Sequence, residues 1–507
     1  MSAICAAAAI LSGGCGGDER PVSEGPNLVL ITADDMALDS FTREAMPQTM
    51  ELLVDDGTVP EDFVVTTPLC CPSRAALLTG QYGHNNGVLA NRYGLLRDHE
   101  STIAVWLRDA GYHTAHVGKW LNGYDRVSKK IRPAPGWDTW ATVTKSTYYD
   151  YDLYREEGEP DRFGSEPEDH LTRVITDEAR AVISERATEE RPLFLQVDYY
   201  APHSDPSDDE RCGDAALPEP EDSELFLKPA VPRPPSFNEA NTRDKPPFQQ
   251  RGRLGSESIE RIQRRFGCTL ASLRGVDRGI AGIAAELEAA GELDNTAIVF
   301  MGDNGMLRGQ HRFSGGKHLA YAETLEVPVA IRVPPELLGG TEAPPRLRGP
   351  SANIDVAPTF LALAGAEPCA ADGECRVMDG RSLVGALDRS QPLDPDRALV
   401  IELDEEQKPE KLTGPCRYRG LRTASWFYLE HEIAQDPRTG RCRTTDFREL
   451  YDRERDPFEL RNLLAIGTES FVGLPVQRLS RRLERLHDCQ GIAGRDPEPP
   501  KGIAYCE

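Results

Sequence analysis

Long apolar runs and positive charge are both scarce in this 507-residue chain. After residue 26 no apolar stretch approaches the roughly 20 residues that a membrane-spanning helix needs. The 58 lysines and arginines are outnumbered by 83 acidic residues, which gives a formal net charge of -25. This balance argues against a nucleic-acid partner, because phosphate contacts need clustered Lys and Arg. An anionic substrate would therefore have to be drawn in by a local pocket.

Internal repeats are absent as well, and the composition of 39% apolar and 28% charged residues is typical of a soluble globular protein. The length exceeds what one minimal core requires. We predict a large domain over 26–394 and a smaller C-terminal α+β unit over 395–507, where short strands such as "RALVIEL" replace the earlier pattern. Between 204 and 256 a segment rich in Pro, Asp and Glu predicts a long irregular excursion, typical of a lid or substrate wall.

The first 25 residues resemble an export leader, because a short apolar run is followed by a Gly-rich and then a charged stretch. Cys15 after "LSGG" resembles a bacterial lipoprotein cleavage site, at which the cysteine would be lipidated and anchored to a membrane. The alternative is a disordered, wrongly assigned start. We expect an exported protein that is periplasmic, secreted or a cell-surface lipoprotein.

Ten of the twelve cysteines lie beyond this leader, and an exported chain favours disulfides. Sequence neighbours rarely bridge each other because the geometry is strained, so Cys70 and Cys71 are not expected to pair. At least one of them is then available for chemistry. The remaining eight are predicted to pair by proximity as Cys212–Cys268, Cys369–Cys375, Cys416–Cys442 and Cys489–Cys506.

Two continuous apolar runs end in polar pairs. "PNLVLITADDM" leads to Asp34 and Asp35, and "NTAIVFMGDNG" leads to Asp303 and Asn304. Such runs are typical of strands buried on both faces of a parallel sheet. With the helix–turn–strand pattern of "STIAVWLRDAGYHTAHVGKW" they predict an α/β fold with a large, mostly parallel central sheet flanked by helices. Ligands of such sheets bind beyond the carboxyl ends of the strands.

These four side chains offer the hard oxygen donors that suit Ca²⁺ or Mg²⁺. A single acidic pair after a strand is more often a helix cap or a solvated turn. A second pair in the same context favours a metal site.

The stretch "LCCPSRAALLTGQ" resembles the Cys-x-Pro-Ser-Arg signature of the formylglycine-dependent sulfatases, which belong to the alkaline-phosphatase-like superfamily. In that family a maturation enzyme oxidises the first cysteine to Cα-formylglycine. The resemblance therefore implies that Cys70 is modified and that Cys71 fills the variable position. It covers nearly the whole chain after the leader and implies an alkaline-phosphatase-like fold and a sulfuric ester hydrolase.

The resemblance also assigns roles to individual residues. Lys119 in "VGKW" and Lys317 in "GGKHLAYAE" match the lysines that hold the sulfate oxygens, Arg74 the arginine that fixes the hydrated aldehyde, and His203 the general acid beside the leaving group. One hydroxyl of a hydrated aldehyde can attack sulfur and the other can expel sulfate, whereas a sulfated thiol would stay sulfated. The implied ligands of one calcium ion are Asp34, Asp35, the modified Cys70, Asp303 and Asn304.

One position departs from the family. Many sulfatases carry a histidine two places after the lysine of the GKW motif, as the base of the elimination step, where this chain has Leu121. The alternatives are His84, His116, His311 and His318. We favour His311 because it lies between the metal pair and Lys317 in the sequence.

The pattern "LCCPSR … GQYGHNNGV … GKWLNGY" most resembles N-acetylglucosamine-6-sulfatases and extracellular heparan endosulfatases. A sulfated amino sugar is then the expected substrate, with His84, Asn85 and Asn122 near the sugar. An exo-acting or small-sugar enzyme fits the acidic chain better than one that binds long polyanions. Two alternatives stay open: a phosphodiesterase or phosphonate monoester hydrolase of the same superfamily, or an inactive glycan-binding relative, although the complete lysine and calcium set argues against the latter.

Overall fold

The computed structural model describes residues 23–127, 131–186, 189–205, 209–369, 373, 375–405, 415–436, 441–465 and 473–507. Nearly all of the predicted leader, with Cys15, lies outside the described residues. Within these ranges no helix combines the length and the apolar character that a bilayer span requires.

The strands and helices alternate along the first part of the chain, and strands dominate the last part. The strands are β1 (Asn27–Ala33), β2 (Val59–Val64), β3 (His113–Lys119), β4 (Thr139–Val143), β5 (Asp152–Leu153), β6 (Asp161–Arg162), β7 (Leu193–Tyr199), β8 (Thr296–Gly302), β9 (Val329–Arg332), β10 (Arg346–Ala352), β11 (Leu399–Asp404), β12 (Pro415–Arg422), β13 (Trp426–Gln435), β14 (Cys442–Thr444) and β15 (Arg448–Asp452). The helices are α1 (Pro47–Thr49), α2 (Cys70–Thr79), α3 (Gly83–Asn86), α4 (Ile103–Asp109), α5 (Leu171–Arg186), α6 (Ser256–Ala289), α7 (Ala322–Leu325), α8 (Val356–Ala364), α9 (Val384–Leu387) and α10 (Val476–Leu486).

The central sheet has six strands in the order β4-β3-β7-β1-β8-β9. All neighbours run parallel except β8 and β9, which are antiparallel. The predicted α/β fold with a mostly parallel sheet is therefore confirmed. Crossover connections of this kind bring the ends of β1, β3, β7 and β8 to one edge of the sheet.

Both faces of this sheet are buried, which explains the continuous apolar run of β1. Successive side chains of a strand point to opposite faces. Leu28 and Leu30 join one hydrophobic cluster, together with residues of α2, α4 and α8. Val29 and Ile31 join a second cluster with residues of α5 and α6. A polar residue in this run would face a covered surface on either side.

The C-terminal strands form an antiparallel sheet in the order β11-β12-β13-β14, and β15 also pairs with β13. Its apolar side chains, Leu399, Tyr418 and Phe427 among them, belong to the same cluster as Leu28. The C-terminal sheet is thus packed against the main sheet layer through a shared core. The domain boundary near residue 395 stays a prediction.

All four predicted disulfides are present: Cys212–Cys268, Cys369–Cys375, Cys416–Cys442 and Cys489–Cys506. Cys70 and Cys71 are buried and unbridged. The predicted irregular excursion is also confirmed, because its described part, 209–255, contains no strand or helix beyond two short 3-10 turns. The bond from Cys212 to Cys268 fixes this segment to α6.

Candidate active site

Most of the catalytic and metal-binding residues predicted from the sequence lie together where the parallel strands end. Asp34 follows β1, Asp303 follows β8, Lys119 closes β3 and His203 comes shortly after β7. Helix α2 begins at the same edge with Cys70. Asp35 has a positive φ of 61°, an uncommon backbone conformation for a residue other than glycine. Its N–H donates to Asp303 Oδ1 at 3.0 Å, which stabilises that conformation.

Cys70 lies at the centre of this group. Its Sγ is 3.4 Å from Asp34 Oδ1, 4.0 Å from Asp35 Oδ1 and 2.7 Å from Lys317 Nζ. Burial and the Asp34 carboxylate raise the pKa of the Cys70 thiol well above its usual range. A reactive cysteine needs a lowered pKa, so the unmodified residue is a poor nucleophile.

Cys71 faces a different environment from its neighbour. Its N–H donates to Asn91 Oδ1 at 3.0 Å, and its Sγ lies 3.8 Å from the carbonyl oxygen of Asn122. Burial raises the pKa of Cys71 to about 12. The side chain belongs to the hydrophobic cluster that also contains Leu28 and Leu30.

Two buried lysines pair with the two consecutive aspartates. Lys119 Nζ contacts Asp34, and Lys317 Nζ contacts Asp35. Burial lowers the pKa of each lysine, but the carboxylates raise it more, so both pKa values lie above their ordinary value. Both lysines are therefore cationic beside Cys70.

The acidic side chains fit a hard cation. Donor atoms of Asp34, Asp35, Cys70 and His203 all lie within 4.8 Å of one another. Asn304 Nδ2 donates to Asp35 Oδ1 at 2.7 Å, whereas Asn304 Oδ1 is buried and has no hydrogen-bond partner among the described residues. An orphaned amide oxygen beside carboxylates is the donor set that Ca²⁺ prefers.

The electrostatics of Asp303 agree with this interpretation. Burial and the neighbouring Asp34 carboxylate raise the pKa of Asp303 to about 6. A bound divalent cation would offset this crowding of negative charge. Asp303 is not in the 4.8 Å group around Cys70, and its Oδ2 accepts from Arg74 Nε at 2.9 Å.

Arg74 is completely buried under the site. Besides Asp303, its guanidinium contacts Asp198 Oδ1 at 3.1 Å and the carbonyl oxygen of Lys119 at 3.3 Å. Asp198 in turn binds His116 Nε2 at 2.9 Å. Arg74 therefore fixes the relative positions of three strand ends, those of β3, β7 and β8. Sequence reasoning missed Asp198, although an acid inside the apolar run "LFLQVDYY" signals a buried partner.

His203 presents one nitrogen to the site. Its Nδ1 lies 2.6 Å from the carbonyl oxygen of Ser204, which can only accept, so the proton is on Nδ1. Its Nε2 lies 3.5 Å from Asp35 Oδ2. The ring stacks on Tyr200 with centroids 4.9 Å apart. Burial lowers the pKa of His203 below its ordinary value.

A cavity of about 370 Å³ opens beside these residues, a size at the lower end of ligand pockets, which run from about 300 to 1,000 Å³. Asp35, His203 and Lys317 are among the residues that line it. Its lining also comes from α6, from the irregular segment after β7 and from the loop after β8. These other lining residues include Ala215, Ala216, Ile262, Arg265, Thr269, Met306, Arg308, Ser314 and His318.

His311, the expected elimination base, lies in a different environment. It is buried between Glu239, at 2.8 Å from Nδ1, and Glu323, at 3.6 Å from Nε2, and it stacks on Tyr321. Burial lowers its pKa, but the two glutamates raise it more, to about 9. A histidine that is already protonated at neutral pH cannot accept a proton, so these contacts give the predicted role no support.

Two of the other candidate bases, His116 and His318, differ in their access to the cavity. His116 is fully buried, bonded to Asp198 and surrounded by tryptophans. His318 lines the cavity next to Lys317. Burial and the Lys317 ammonium lower the pKa of His318 to about 4, so its ring is neutral at pH 7.

The three residues expected near the sugar do not line the cavity. His84 Nδ1 lies 3.1 Å from Glu402, and its Nε2 is 3.1 Å from the carbonyl oxygen of Cys489. Asn85 donates to the same carbonyl at 2.7 Å. Both side chains thus hold the C-terminal part against α3. The carbonyl of Asn122 accepts from the Tyr93 N–H at 2.8 Å.

We expect His84→Ala to lower stability rather than substrate affinity. Burial lowers the pKa of His84, but Glu402 raises it more, to about 9, above the ordinary 6.5. Its stabilising contribution is therefore complete below pH 6.5 and is lost as pH rises toward 9. The substitution should cost about 3 kcal/mol at pH 6, because it leaves Glu402 buried without its partner, and less at pH 9.

Thermal unfolding at both pH values measures this effect. His487→Ala is the control, because His487 pairs with the half-exposed Asp488 and should change little. If His84→Ala instead raises the KM for a sulfated sugar and leaves stability unchanged, His84 contributes to substrate binding.

Comparisons with known proteins identify the family of the chain. The family model described as Sulfatase matches residues 26–366. The chain is 33% identical over 369 residues to the putative extracellular sulfatase Sulf-1 homolog of Caenorhabditis elegans, covering 71% of this chain but 48% of that protein, about half its length. It is 26% identical to the N-acetylglucosamine-6-sulfatase of Homo sapiens, covering 93% and 86% of the two chains.

Among solved structures, a protein in complex with its substrate D-glucosamine-2-N,6-O-disulfate has a TM-score of 0.70 and 22% identity, over 91% of this chain and 97% of that one. The likeness confirms the predicted alkaline-phosphatase-like fold. The family model covers more than half of the sequence, and it includes both acidic strand ends and the Cys70 segment. The chain therefore belongs to the sulfatase family.

Proposed function

We propose that this protein is a sulfatase that hydrolyses a sulfate ester of a sugar, with residue 70 matured to formylglycine and one calcium ion beside it. The observation that carries the proposal is the position of Cys70. It lies 2.7 Å from Lys317, against the aspartates, with a thiol whose raised pKa makes it unsuitable as a nucleophile. Such surroundings suit a modified side chain handling an anionic group.

Formylglycine at residue 70 would supply a hydrated-aldehyde hydroxyl as nucleophile, and calcium held by Asp34, Asp35, Asp303 and Asn304 would favour its ionised form. Lys119 and Lys317, which lie beside Asp34 and Asp35, would bind the oxygens of the sulfate. Their charges stabilise the negative charge that develops on the transferring group.

Proton transfers in the reaction are assigned to histidines. His203 Nε2 faces the site and, when protonated, gives its proton to the departing sugar oxygen. His318 replaces His311 as the base that we propose for sulfate release. It lines the cavity, and its lowered pKa leaves its ring unprotonated at neutral pH.

A sulfated amino sugar such as N-acetylglucosamine 6-sulfate is the proposed substrate. The cavity of about 370 Å³ suits one sugar unit better than a long chain. Relatives named extracellular sulfatase and N-acetylglucosamine-6-sulfatase support an exported, glycan-directed enzyme. A formylglycine-generating enzyme is the implied maturation partner, and lipidation of Cys15 remains a prediction.

Peptide mass at residue 70 tests the proposal. Protein made in its native host should show the loss of sulfur and the gain of an aldehyde at this position. An intact thiol, combined with hydrolysis of phosphonate or phosphodiester substrates, would instead favour the alternative hydrolase of the same superfamily. An intact thiol without any hydrolysis would favour a glycan-binding relative.

We expect His203→Ala to discriminate between leaving groups. A sugar alkoxide needs a proton as it departs, whereas a nitrophenolate leaves without one, so the substitution should slow sugar sulfates by about 100-fold and nitrophenyl sulfate far less. Steady-state kcat/KM for the two substrates gives the comparison. An equal loss on both would assign His203 to the metal site, whose atoms it approaches.

A further inference from the structure

The cavity contains positive charge beyond that of Lys317, the one proposed sulfate-binding lysine that lines it. Among the described residues that line it, Lys317, Arg265 and Arg308 are cationic and Asp35 is the acid. Lys317 is paired with Asp35. Arg308 is held by Asp39 at 2.8 Å, with its side chain only 9% exposed. Of these three cations, Arg265 is the one whose acidic partner is exposed to solvent.

That partner is Asp214, which lies 2.8 Å from Arg265 Nη2. The side chain of Asp214 is 64% exposed and that of Arg265 is 30% exposed. An ion pair so open to water stabilises the protein little, because solvent screens both charges. Asp214 does not line the cavity, whereas Arg265 does. An anion that enters the cavity can therefore replace Asp214 at the guanidinium.

The position of Arg265 is fixed from two sides. It lies one turn before Cys268 on α6, and the disulfide to Cys212 holds the irregular segment against this turn. On the other side, a Cβ atom at Gly315 would lie 3.5 Å from Arg265 Nη1. Gly315 precedes Lys317 by two residues. The guanidinium thus lies between the disulfide-held segment and the loop that carries a sulfate-binding lysine.

We propose that Arg265 binds a second anionic group of the substrate, separate from the sulfate ester that is cleaved. The proposal rests on the proposed function, because it uses the same cavity. The planar guanidinium suits an N-sulfo group or the carboxylate of an adjoining uronate, which it can contact through two N–H groups. In a chain with a net charge of -25, such a group needs a local cation to offset repulsion.

Binding to Cys70→Ala protein tests this assignment without turnover. Calorimetry compares D-glucosamine 2-N,6-O-disulfate with N-acetyl-D-glucosamine 6-sulfate, which lacks the second anion. Arg265→Gln should weaken the disulfate by about tenfold or more and leave the acetylated sugar unchanged. Asp214→Asn should strengthen the disulfate, because it removes the competing carboxylate. A uronate-linked N-acetylglucosamine 6-sulfate, measured in parallel, distinguishes the carboxylate from the N-sulfo group.

Arg264→Gln is the matched control, because Arg264 is adjacent on α6, is exposed and does not line the cavity. It should alter neither affinity. The proposal would be overturned if Arg265→Gln lowered the affinity for all three sugars equally, or lowered it for none of them. Turnover of the same sugars by the unsubstituted, matured protein is measured separately. If none is hydrolysed, the proposed function fails, while the binding comparison still decides the role of Arg265.

Discussion

Cys70→Ala is expected to abolish sulfate-ester hydrolysis, with a loss of at least about a thousandfold. The reason is positional: the residue at 70 is in contact with Lys317 and the two aspartates, and alanine offers no group that a maturation enzyme could convert into a nucleophile. Initial rates with nitrophenyl sulfate and with a 6-sulfated amino sugar measure the loss.

Cys71→Ser is the matched control for that experiment. Cys71 packs in the core and contacts the carbonyl of Asn122, so its hydroxyl replacement should cost about 1–2 kcal/mol of stability and leave most of the activity. Activity in Cys70→Ala, with a folded but inactive Cys71→Ser, would show that the nucleophile has been assigned to the wrong cysteine.

Removal of the metal is expected to have the second large effect. Chelation should stop turnover, and added Ca²⁺ should restore it, because the buried carboxylates and the orphaned Asn304 oxygen are the ligands that we propose for a hard cation. Asn304→Ala should lower kcat by about 100-fold with little effect on the fold, since its Nδ2 contacts are confined to Asp35 and Gly305.

Asp303→Ala is a less selective variant of the same test. Asp303 also binds the buried Arg74 guanidinium at 2.9 Å, so its loss should destabilise the protein by about 3 kcal/mol in addition to the metal effect. Full activity of Asn304→Ala in metal-free buffer would rule out the calcium assignment.

Local pattern was enough to predict the framework of the site. Parallel strands buried on both faces read as continuous apolar runs, and their carboxyl ends share one edge of the sheet. This is why the polar pairs after β1 and β8 could be placed together from the sequence. The four disulfides could be paired because each joins two cysteines that are consecutive in the chain.

Roles that depend on distant partners could not be predicted in this way. His84 follows the signature segment closely in sequence, yet its ring is held by Glu402 and by the carbonyl of Cys489. His311 precedes Lys317 by six residues, but two glutamates surround it and hold it protonated. The position of each histidine in the sequence did not indicate which residues would surround its ring in the folded protein.

The sequence by itself determined the fold class and the family resemblance, and it pointed to Cys70 as the residue proposed to be modified. Each of these depends on periodicity or on a contiguous signature. Tertiary structure decided which groups surround that residue and in what charge state. Asp198 beside Arg74 and Arg265 in the cavity lining emerged only from the packing, which also placed His318, one of four candidate bases, in the cavity. The physical reason is that burial and a neighbouring charge set the protonation of a side chain, and both come from residues remote in the chain.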